Sequence, residues 1–392
     1  MAKRTVNVAL IGQKFMGKAH SNAYMKVAKF FDLPVIPVMH TTVGREIEDP
    51  ESFAKHWGWQ NFDTDWKRVV NSPEIDLVDI VTPNDLHEDI AIAALKAGKA
   101  VACEKPLAHT WKAAKAMVDA AKTAKKPTFV SFNYRRVPAI ALARQIVREG
   151  RLGRIYHVRA QYLQDWGGPD TPLVWRFEKK HAGSGAHGDL NAHLIDMARF
   201  ITGQEFTEVS GMQETFIKER VIPVEDTGIS ASVAKRKAKG KSTVDDALLF
   251  MCRFTDGAIG SFEASRLATG NKNGNQIEIN GEKGSLYFNF ERMNELMFYD
   301  ATQPEHLQGW TDILATNPSV HPYFNAWWPV GHIIGYEHTF INAFSDIFRV
   351  LGGQKPVVPL PDFADALKTQ QVLEASLESA KHKNWVKVNS IK

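Results

Sequence analysis

Short apolar runs alternate with amphipathic stretches through the first third of the chain. The runs rich in Val, Ile, Leu and Ala predict buried strands at residues 6–11, 35–43, 77–81, 100–103 and 128–132. The stretches between them predict helices at residues 17–30, 52–57, 87–97 and 110–125. Strands and helices that alternate with short connections are typical of a parallel sheet covered on both faces.

The pattern changes after about residue 130. Helical composition is found at residues 138–149, 190–201, 332–350 and 363–380. Strand-like runs occur at residues 155–162, 247–254, 258–264, 276–279 and 285–290, several of them separated by glycine-containing turns. We therefore predict an α/β protein with two domains. Residues 1–130 form a doubly wound parallel sheet, and residues 131–392 form an α+β domain with a large, mainly antiparallel open sheet.

Composition excludes several classes of protein. Of the 392 residues, 44% are hydrophobic and 23% charged, which is ordinary for a globular chain and argues against disorder or a fibre. No window approaches the ~18 apolar residues of a membrane-spanning helix. The formal charge of +4 gives no case for nucleic-acid binding, and the densest basic run, residues 235–241, lacks aromatic residues. Two cysteines are too few for a disulfide framework, so we expect a cytoplasmic protein.

The turn after the first strand resembles a phosphate-binding loop. It runs from Gly12 to Gly17, with glycine at the first and sixth positions of the G-x-G-x-x-G fingerprint. The third position, where backbone approaches a pyrophosphate, is Lys14. Its ammonium group either assists phosphate binding at the helix N-terminus or faces solvent. With two of the three glycines present, the turn by itself is compatible with a dinucleotide site and equally with an ordinary surface turn.

The end of the second predicted strand bears on the choice of cofactor. An acidic residue at this position normally binds the adenosine ribose and repels a 2′-phosphate. If Gly44 holds the position, Arg45 is placed to meet a 2′-phosphate or to stack on adenine. If Glu46 reaches the ribose, NAD is favoured over NADP. Pro37 leaves the register open, so the residues permit both cofactors.

Several motifs together resemble the glucose–fructose oxidoreductase and inositol dehydrogenase family, called Gfo/Idh/MocA. They are the turn above followed by His20, and the stretches at residues 81–87, 103–107, 132–136 and 188–196. Residues 162–166, 175–177 and 331–340 are most similar to the branch that contains levoglucosan dehydrogenase. The order and spacing of these motifs are specific to the family and not to one sugar.

The resemblance implies a Rossmann domain, a nicotinamide cofactor (NAD, with NADP possible) and a sugar, anhydrosugar or polyol substrate. It implies a homodimer or homotetramer with no nucleic-acid or membrane partner. The implied catalytic residues are Lys105, Asp189 and His193. The implied cofactor-binding residues are Gly12, Lys14, Phe15, Met16, Gly17, Arg45, Thr82, Pro83, Asn84, His87, Glu104, Lys105 and Asn133. The candidate substrate-binding residues are Lys105, Tyr134, Arg135, Tyr162, Gln164, Asp165, Trp175, Arg176, Asp189, His193 and Tyr336.

The chemistry of alcohol oxidation suits these residue types. The cofactor carries the hydride, and the protein supplies orientation, a base and electrostatics. Asp189 and His193 are four positions apart, so on a helix they share one face. A neutral imidazole near the helix start is suited to act as a general base, so we assign that role to His193. Asp189 or Lys105 remains an alternative proton acceptor, and Lys105 can also stabilise a developing alkoxide.

Three rival interpretations follow from the same segment and fold. A zinc site could use His181, His187, Asp189 and His193, but their spacing is not a familiar zinc motif, and we predict no metal. A second rival is a redox-assisted glycoside-processing enzyme with tightly bound NAD. A third is a non-catalytic nucleotide-binding protein. Accumulation of reduced cofactor in bulk solution distinguishes a dehydrogenase from the last two.

Overall fold

The computed structural model describes residues 3–223, 225–226, 231–232 and 238–392. The helices are α1 (Phe15–Phe30), α2 (Pro50–Trp57), α3 (Trp66–Asn71), α4 (His87–Lys96), α5 (Trp111–Ala124), α6 (Pro138–Arg148), α7 (Lys179–Ala182), α8 (Ala192–Thr202), α9 (Tyr336–Leu351) and α10 (Phe363–His382). The strands are β1 (Thr5–Ile11), β2 (Ile36–Val43), β3 (Asn61–Asp63), β4 (Leu77–Ile80), β5 (Ala100–Cys103), β6 (Thr128–Val130), β7 (Ile155–Leu163), β8 (Phe206–Glu214), β9 (Glu219–Val221), β10 (Glu225–Asp226), β11 (Ala231–Ser232), β12 (Lys239–Lys241), β13 (Ala247–Phe254), β14 (Ile259–Ser265), β15 (Gly274–Gly281), β16 (Gly284–Asn289), β17 (Glu295–Asp300), β18 (Trp310–Leu314) and β19 (Val386–Lys387).

The first compact unit contains the chain up to Asn133 together with Gly335–Leu367. Its six strands pair in the order β3-β2-β1-β4-β5-β6, and every pair is parallel. This confirms the predicted doubly wound sheet. The sequence did not predict β3 and α3, because both are short and mostly polar at the surface.

Residues Gly335–Leu367 also belong to the first compact unit, although most of the second unit precedes them along the chain. Within the first unit, α9 packs along α1. The ring of Phe344 lies 4.3 Å from that of Tyr24, and Phe348 and Phe340 also contact aromatic rings of α1. Helix α1 therefore buries its outer apolar face against a segment some 300 positions later, which local patterning does not reveal.

The second unit is built on nine strands in the order β18-β17-β16-β15-β7-β14-β13-β8-β19. All neighbours are antiparallel except β7 and β14, which confirms a large, mainly antiparallel sheet. One face is buried, and there Phe250 and Phe262 stack with ring centres 4.8 Å apart. On the other face Leu249, Met251 and Ile259 are exposed, as strand alternation requires.

Two remaining expectations concern the surface. Of the basic run, Lys239 and Lys241 are exposed on β12, while Lys235–Lys237 lie outside the described residues. In the part of the chain that the structure describes, every helix is too short or too polar to cross a membrane.

Candidate active site

The turn between β1 and α1 depends on its two glycines. Gly12 has φ 114°, and a Cβ there would lie 2.8 Å from the carbonyl oxygen of Val81. A Cβ on Gly17 would collide with the carbonyl oxygen of Gly12. Lys14 has φ −75° and directly precedes α1, so this position accepts a side chain. The turn therefore brings backbone N–H groups to the start of a 16-residue helix, where an anion is favoured.

A second close approach lies at the end of β2. The side chain of Gln13 occupies the space that a Cβ on Gly44 would need, and its Nε2 donates to Thr42 Oγ1 over 3.1 Å. A side chain at position 44 would therefore displace the end of Gln13.

Arg45, the next residue, is bound to Glu48. Its Nε and Nη2 both donate to Glu48 Oε1, at 3.1 and 2.6 Å, and its backbone N–H donates to Oε2. Lys14 Nζ lies 4.0 Å from the same carboxylate. The structure thus places Glu48 between two cations, while Glu46 is exposed. Glu48 was not predictable as part of this site from the sequence, because only the short helical turn at residues 46–48 folds it back towards Arg45.

The loops after β4 and β5 are tied together by His87. Its Nδ1 lies 3.2 Å from the carbonyl oxygen of Leu107 and its Nε2 lies 3.1 Å from that of Thr82. Burial lowers the pKa of this imidazole, although the facing carbonyl groups oppose the shift. Pro83 and Asn84 continue the first loop, and Asn84 is buried.

The first unit offers groups suited to a dinucleotide. Thr82 Oγ1 is buried with no hydrogen-bond partner among the described residues, which leaves a hydroxyl for a ligand. Gly12 packs directly against the backbone of Val81, which fixes the turn that precedes the N-terminus of α1. Phe15 is partly exposed at the first turn of α1, with Met16 beside it. The side-chain amide nitrogen of Asn133 donates a hydrogen bond within the protein, to Thr339 Oγ1 over 2.8 Å. The residues present fit a bound NAD.

Glu104 and Lys105 follow β5 directly. Glu104 Oε2 accepts from the Lys105 backbone N–H at 3.1 Å, and Oε1 lies 3.0 Å from His20 Nε2. The other ring nitrogen of His20 lies 2.8 Å from Asp79 Oδ2. The sequence motif included His20, but gave it no partner, because Asp79 and Glu104 are far away along the chain.

In the second unit, Asp189 is held by an arginine that the sequence analysis did not identify. Arg266 Nη2 donates to Asp189 Oδ2 over 2.9 Å, and its Nη1 donates to the carbonyl oxygen of Arg176. The guanidinium is almost wholly buried and lies over the ring of Trp166. Asp189 is part of a π-helical turn at residues 187–191 that precedes α8, so it does not share a regular α-helix with His193 as predicted.

Asp245 fixes the start of this turn. Its carboxylate accepts from the backbone N–H groups of Gly185 and His187, at 2.7 and 2.8 Å. The His187 ring is buried between Asn191 and the carbonyl oxygen of Leu373. Burial lowers its pKa. The described residues contain no group of three or more His, Cys, Asp or Glu that could hold a metal ion.

His193 lies in the first turn of α8 and stacks on an aromatic ring. Its imidazole is 4.4 Å from the Tyr134 ring, with 28° between the two planes. The hydroxyls of Tyr134 and Tyr162 are 2.7 Å apart, and Tyr162 donates onward to Asn273 Oδ1. Gln164 Nε2 donates to the same oxygen. Burial and the neighbouring Tyr162 raise the pKa of Tyr134 well above its usual value, so its hydroxyl stays protonated.

The remaining predicted substrate residues have diverse environments. Arg135 is buried and paired with Asp196, and Asp165 is paired with Lys272 over 2.7 Å. The guanidinium of Arg176 lies 4.5 Å from the ring centre of Trp175. Tyr336 belongs to the first unit, where its ring packs edge-on against Phe340. In the second unit, contacts and hydrogen bonds therefore connect four of the predicted residues, Tyr134, Tyr162, Gln164 and His193. Arg135 instead forms a buried ion pair with Asp196.

Comparison with known proteins identifies both parts of the chain. Residues 6–132 match the oxidoreductase family with an NAD-binding Rossmann fold, and residues 140–287 match the Gfo/Idh/MocA C-terminal domain. The chain is 43% identical to a levoglucosan dehydrogenase of Pseudarthrobacter phenanthrenivorans over 99% of both proteins. An oxidoreductase domain protein from Kribbella flavida superposes with a TM-score of 0.91 at 48% identity, over 98% of this chain and 99% of that one. Levoglucosan dehydrogenase in complex with NADH and levoglucosan superposes with a TM-score of 0.89 at 42% identity, over 98% and 99%. The chain belongs to the Gfo/Idh/MocA family of NAD-binding oxidoreductases.

Proposed function

We propose that this protein is an NAD-dependent dehydrogenase that oxidises a secondary hydroxyl of an anhydrosugar, sugar or polyol. The observation that carries the proposal is the similarity to levoglucosan dehydrogenase over 99% of both chains. Ordered environments for Asp189 and His193 support it, because each is fixed by a buried partner. Bound NAD supplies the hydride acceptor, and the protein's own residues handle the proton and the substrate.

We assign the proton-accepting role to His193. The stacked Tyr134 ring fixes the plane of the imidazole, as a base that must face one hydroxyl requires. Asp189 accepts a hydrogen bond from the Arg266 guanidinium, and we assign its carboxylate to accept another from a substrate hydroxyl. Lys105 follows β5 in the first unit and is assigned to stabilise the alkoxide that forms as the hydroxyl loses its proton.

The test of the reaction is a panel of anhydrosugars, sugars and polyols with NAD and NADP, followed by absorbance of the reduced cofactor. Levoglucosan is the first probe. We expect reduced cofactor to accumulate with at least one member. Full NADH affinity without accumulation on any compound would refute the dehydrogenase and favour a self-recycling or non-catalytic nucleotide-binding protein.

Two variants test the assigned residues. Lys105→Ala and His193→Ala should keep a native melting transition and NADH affinity, while turnover falls by ~10²-fold or more. Either variant turning over substrate normally would remove that residue from the mechanism.

The pH profile tests which residue is the base. The rate of oxidation should rise with pH as the base loses its proton, which gives kcat/KM an acid limb. His193→Asn keeps a polar group but removes this limb. If the limb persists in His193→Asn and disappears in Lys105→Met, the lysine is the proton acceptor.

We also propose that NAD is preferred over NADP. The Glu48 carboxylate pairs with the Arg45 guanidinium and adds a negative charge beside Lys14, so a 2′-phosphate meets the repulsion of this carboxylate and competes with it for Arg45. Side-by-side kinetics with both cofactors measure the preference.

The exposed face of the nine-stranded sheet supports assembly into a homodimer or homotetramer. Leu249, Met251 and Ile259 contribute exposed apolar side chains to this face on two neighbouring strands. Light scattering should report a dimer or tetramer, and Met251→Asp should shift the mass towards the monomer. Two buried, unpaired cysteines, Cys103 and Cys252, support a cytoplasmic location.

A further inference from the structure

Four side chains of the first unit form a buried chain of hydrogen bonds. Tyr24 donates from its hydroxyl to Asp79 Oδ2 over 2.8 Å. The same oxygen lies 2.8 Å from His20 Nδ1, and His20 Nε2 lies 3.0 Å from Glu104 Oε1. The side chains of His20 and Asp79 are wholly buried, and that of Glu104 is 7% exposed. The chain therefore links α1 through β4 to the residue that precedes Lys105.

The arrangement determines the charge of His20. A neutral imidazole carries one N–H, so it would direct a lone pair at one of the two carboxylate oxygens. Only the imidazolium donates to both Asp79 and Glu104. Burial opposes this charge, but the two carboxylates outweigh it and raise the pKa of His20 to about 10. The rings of Phe340 and Phe344 lie 5.5 and 5.0 Å from the imidazole and exclude water from it.

Glu104 is thereby held at both of its oxygens. Oε1 accepts from the His20 imidazolium, and Oε2 accepts from the Lys105 backbone N–H. The second bond joins the Glu104 side chain to the backbone from which the Lys105 side chain extends. If the Glu104 side chain changed rotamer, the buried His20 imidazolium would lose one of its two acceptors. Leaving a buried charge without its acceptor is costly.

We propose that His20 is a positioning residue for the reaction: its imidazolium fixes the Glu104 carboxylate and, through it, the Lys105 backbone. The proposal rests on the proposed function of Lys105 in stabilising the alkoxide. A displacement of a catalytic group by about 1 Å costs on the order of 10²-fold in rate. A small movement of the Glu104 carboxylate is therefore sufficient to slow the reaction. The phosphate turn and the end of β2 do not depend on His20, and NADH affinity should survive its loss.

The experiment compares His20→Asn, Glu104→Gln and the double variant. Asparagine keeps one donor but carries no charge, and glutamine keeps the shape of Glu104 without its charge. We expect kcat to fall at least 10-fold in each single variant, with a cooperative melting transition and, in His20→Asn, NADH affinity within about 3-fold. Because His20 acts through Glu104, the double variant should be no slower than the slower single variant.

Ser21→Ala is the matched control. Ser21 is buried on the same helix, next to His20, and its Oγ accepts from Trp59 Nε1 over 3.0 Å. Its loss removes a buried hydrogen bond of α1 that leads away from Glu104. We expect a lower melting temperature with kcat and NADH affinity within about 2-fold of the parent. A comparable loss of kcat in Ser21→Ala would show that general loosening of α1 explains the His20 result, and would overturn the proposal.

The outcomes separate this inference from the proposed function. Normal turnover in Lys105→Ala would refute the role of Lys105 itself. If Lys105→Ala is slow and His20→Asn is as fast as the parent, only the positioning role fails. The positioning role would also be overturned if the kcat losses of the two single variants multiplied in the double variant, because the two residues would then act independently. If His20→Asn does not fold, His20→Gln takes its place: an unchanged kcat refutes the proposal, and a loss of kcat at full NADH affinity supports it.

Discussion

Raising the pH from 7.0 to 8.5 should destabilise this protein through His20. The pKa of His20 is raised to about 10 in the folded chain, because Asp79 and Glu104 outweigh the opposing effect of burial. In the unfolded chain the imidazole returns to about 6.5. Between these two values the folded state holds one proton that the unfolded state has lost. The free energy of unfolding therefore falls as pH rises, and the contribution of His20 is complete only below about 6.5.

The size of the effect follows from proton counting. One bound proton changes the free energy of unfolding by about 1.4 kcal/mol per pH unit. The unfolded imidazole is about three-quarters deprotonated at pH 7.0 and almost fully so at 8.5, so the loss over this range is about 2 kcal/mol. With an unfolding entropy near 2.1 cal/mol/K per residue, the melting temperature falls by about 5 °C if the first unit unfolds alone. If the whole chain unfolds together, the fall is about 2 °C.

The assay is thermal and urea denaturation at half-unit steps of pH. The His20→Asn/Glu104→Gln double variant is the reference, because its neutral amides take up no proton in this range. The reference shares the parent's other shifted groups, among them the buried thiols of Cys103 and Cys252, whose pKa values burial raises. The depressed pKa of His87 affects stability only below about 6.5, where stability rises with pH. The raised pKa of Tyr24 acts mainly above pH 10 and is shared by the reference. Equal pH slopes for the parent and the double variant would refute a charged His20.

Three further predictions concern the two binding regions. Gly12→Val should abolish NADH binding in a folded protein, measured by quenching or energy transfer, because its Cβ collides with the backbone after β4; retained affinity would move the site elsewhere. Glu48→Gln should release Arg45 and raise kcat/KM with NADP by about 10-fold or more, while the kinetics with NAD change little. Arg45→Ala is the control and should show no increase in kcat/KM with NADP. Arg266→Met should leave Asp189 without its buried cation and lower kcat/KM by ~10²-fold at unchanged NADH affinity; normal kinetics would mean that the ion pair has no part in the reaction.

The sequence by itself determined the elements whose signals are local. The β1 strand, the glycine turn and α1 were predictable, because a buried strand and the two required glycines lie within a dozen residues. The alternation through β6 predicted a parallel sheet for the same reason. Asp189 and His193 were recognisable as a motif, although a π-helical turn and not a regular helix carries the aspartate.

Tertiary structure decided every feature that depends on distant partners. Strand β7 pairs between β14 and β15, about 100 positions later, which no local pattern specifies. Arg266 reaches Asp189 across 77 positions, and His20 reaches Glu104 across 84. A buried arginine or histidine has the same local sequence signal as an exposed one, because hydrophobic periodicity records which face of an element is buried and not which side chain it meets. The charge of His20 and the orientation of Asp189 therefore exist only in the folded chain, where the carboxylates of Asp79 and Glu104 meet the imidazole and the guanidinium of Arg266 meets Asp189.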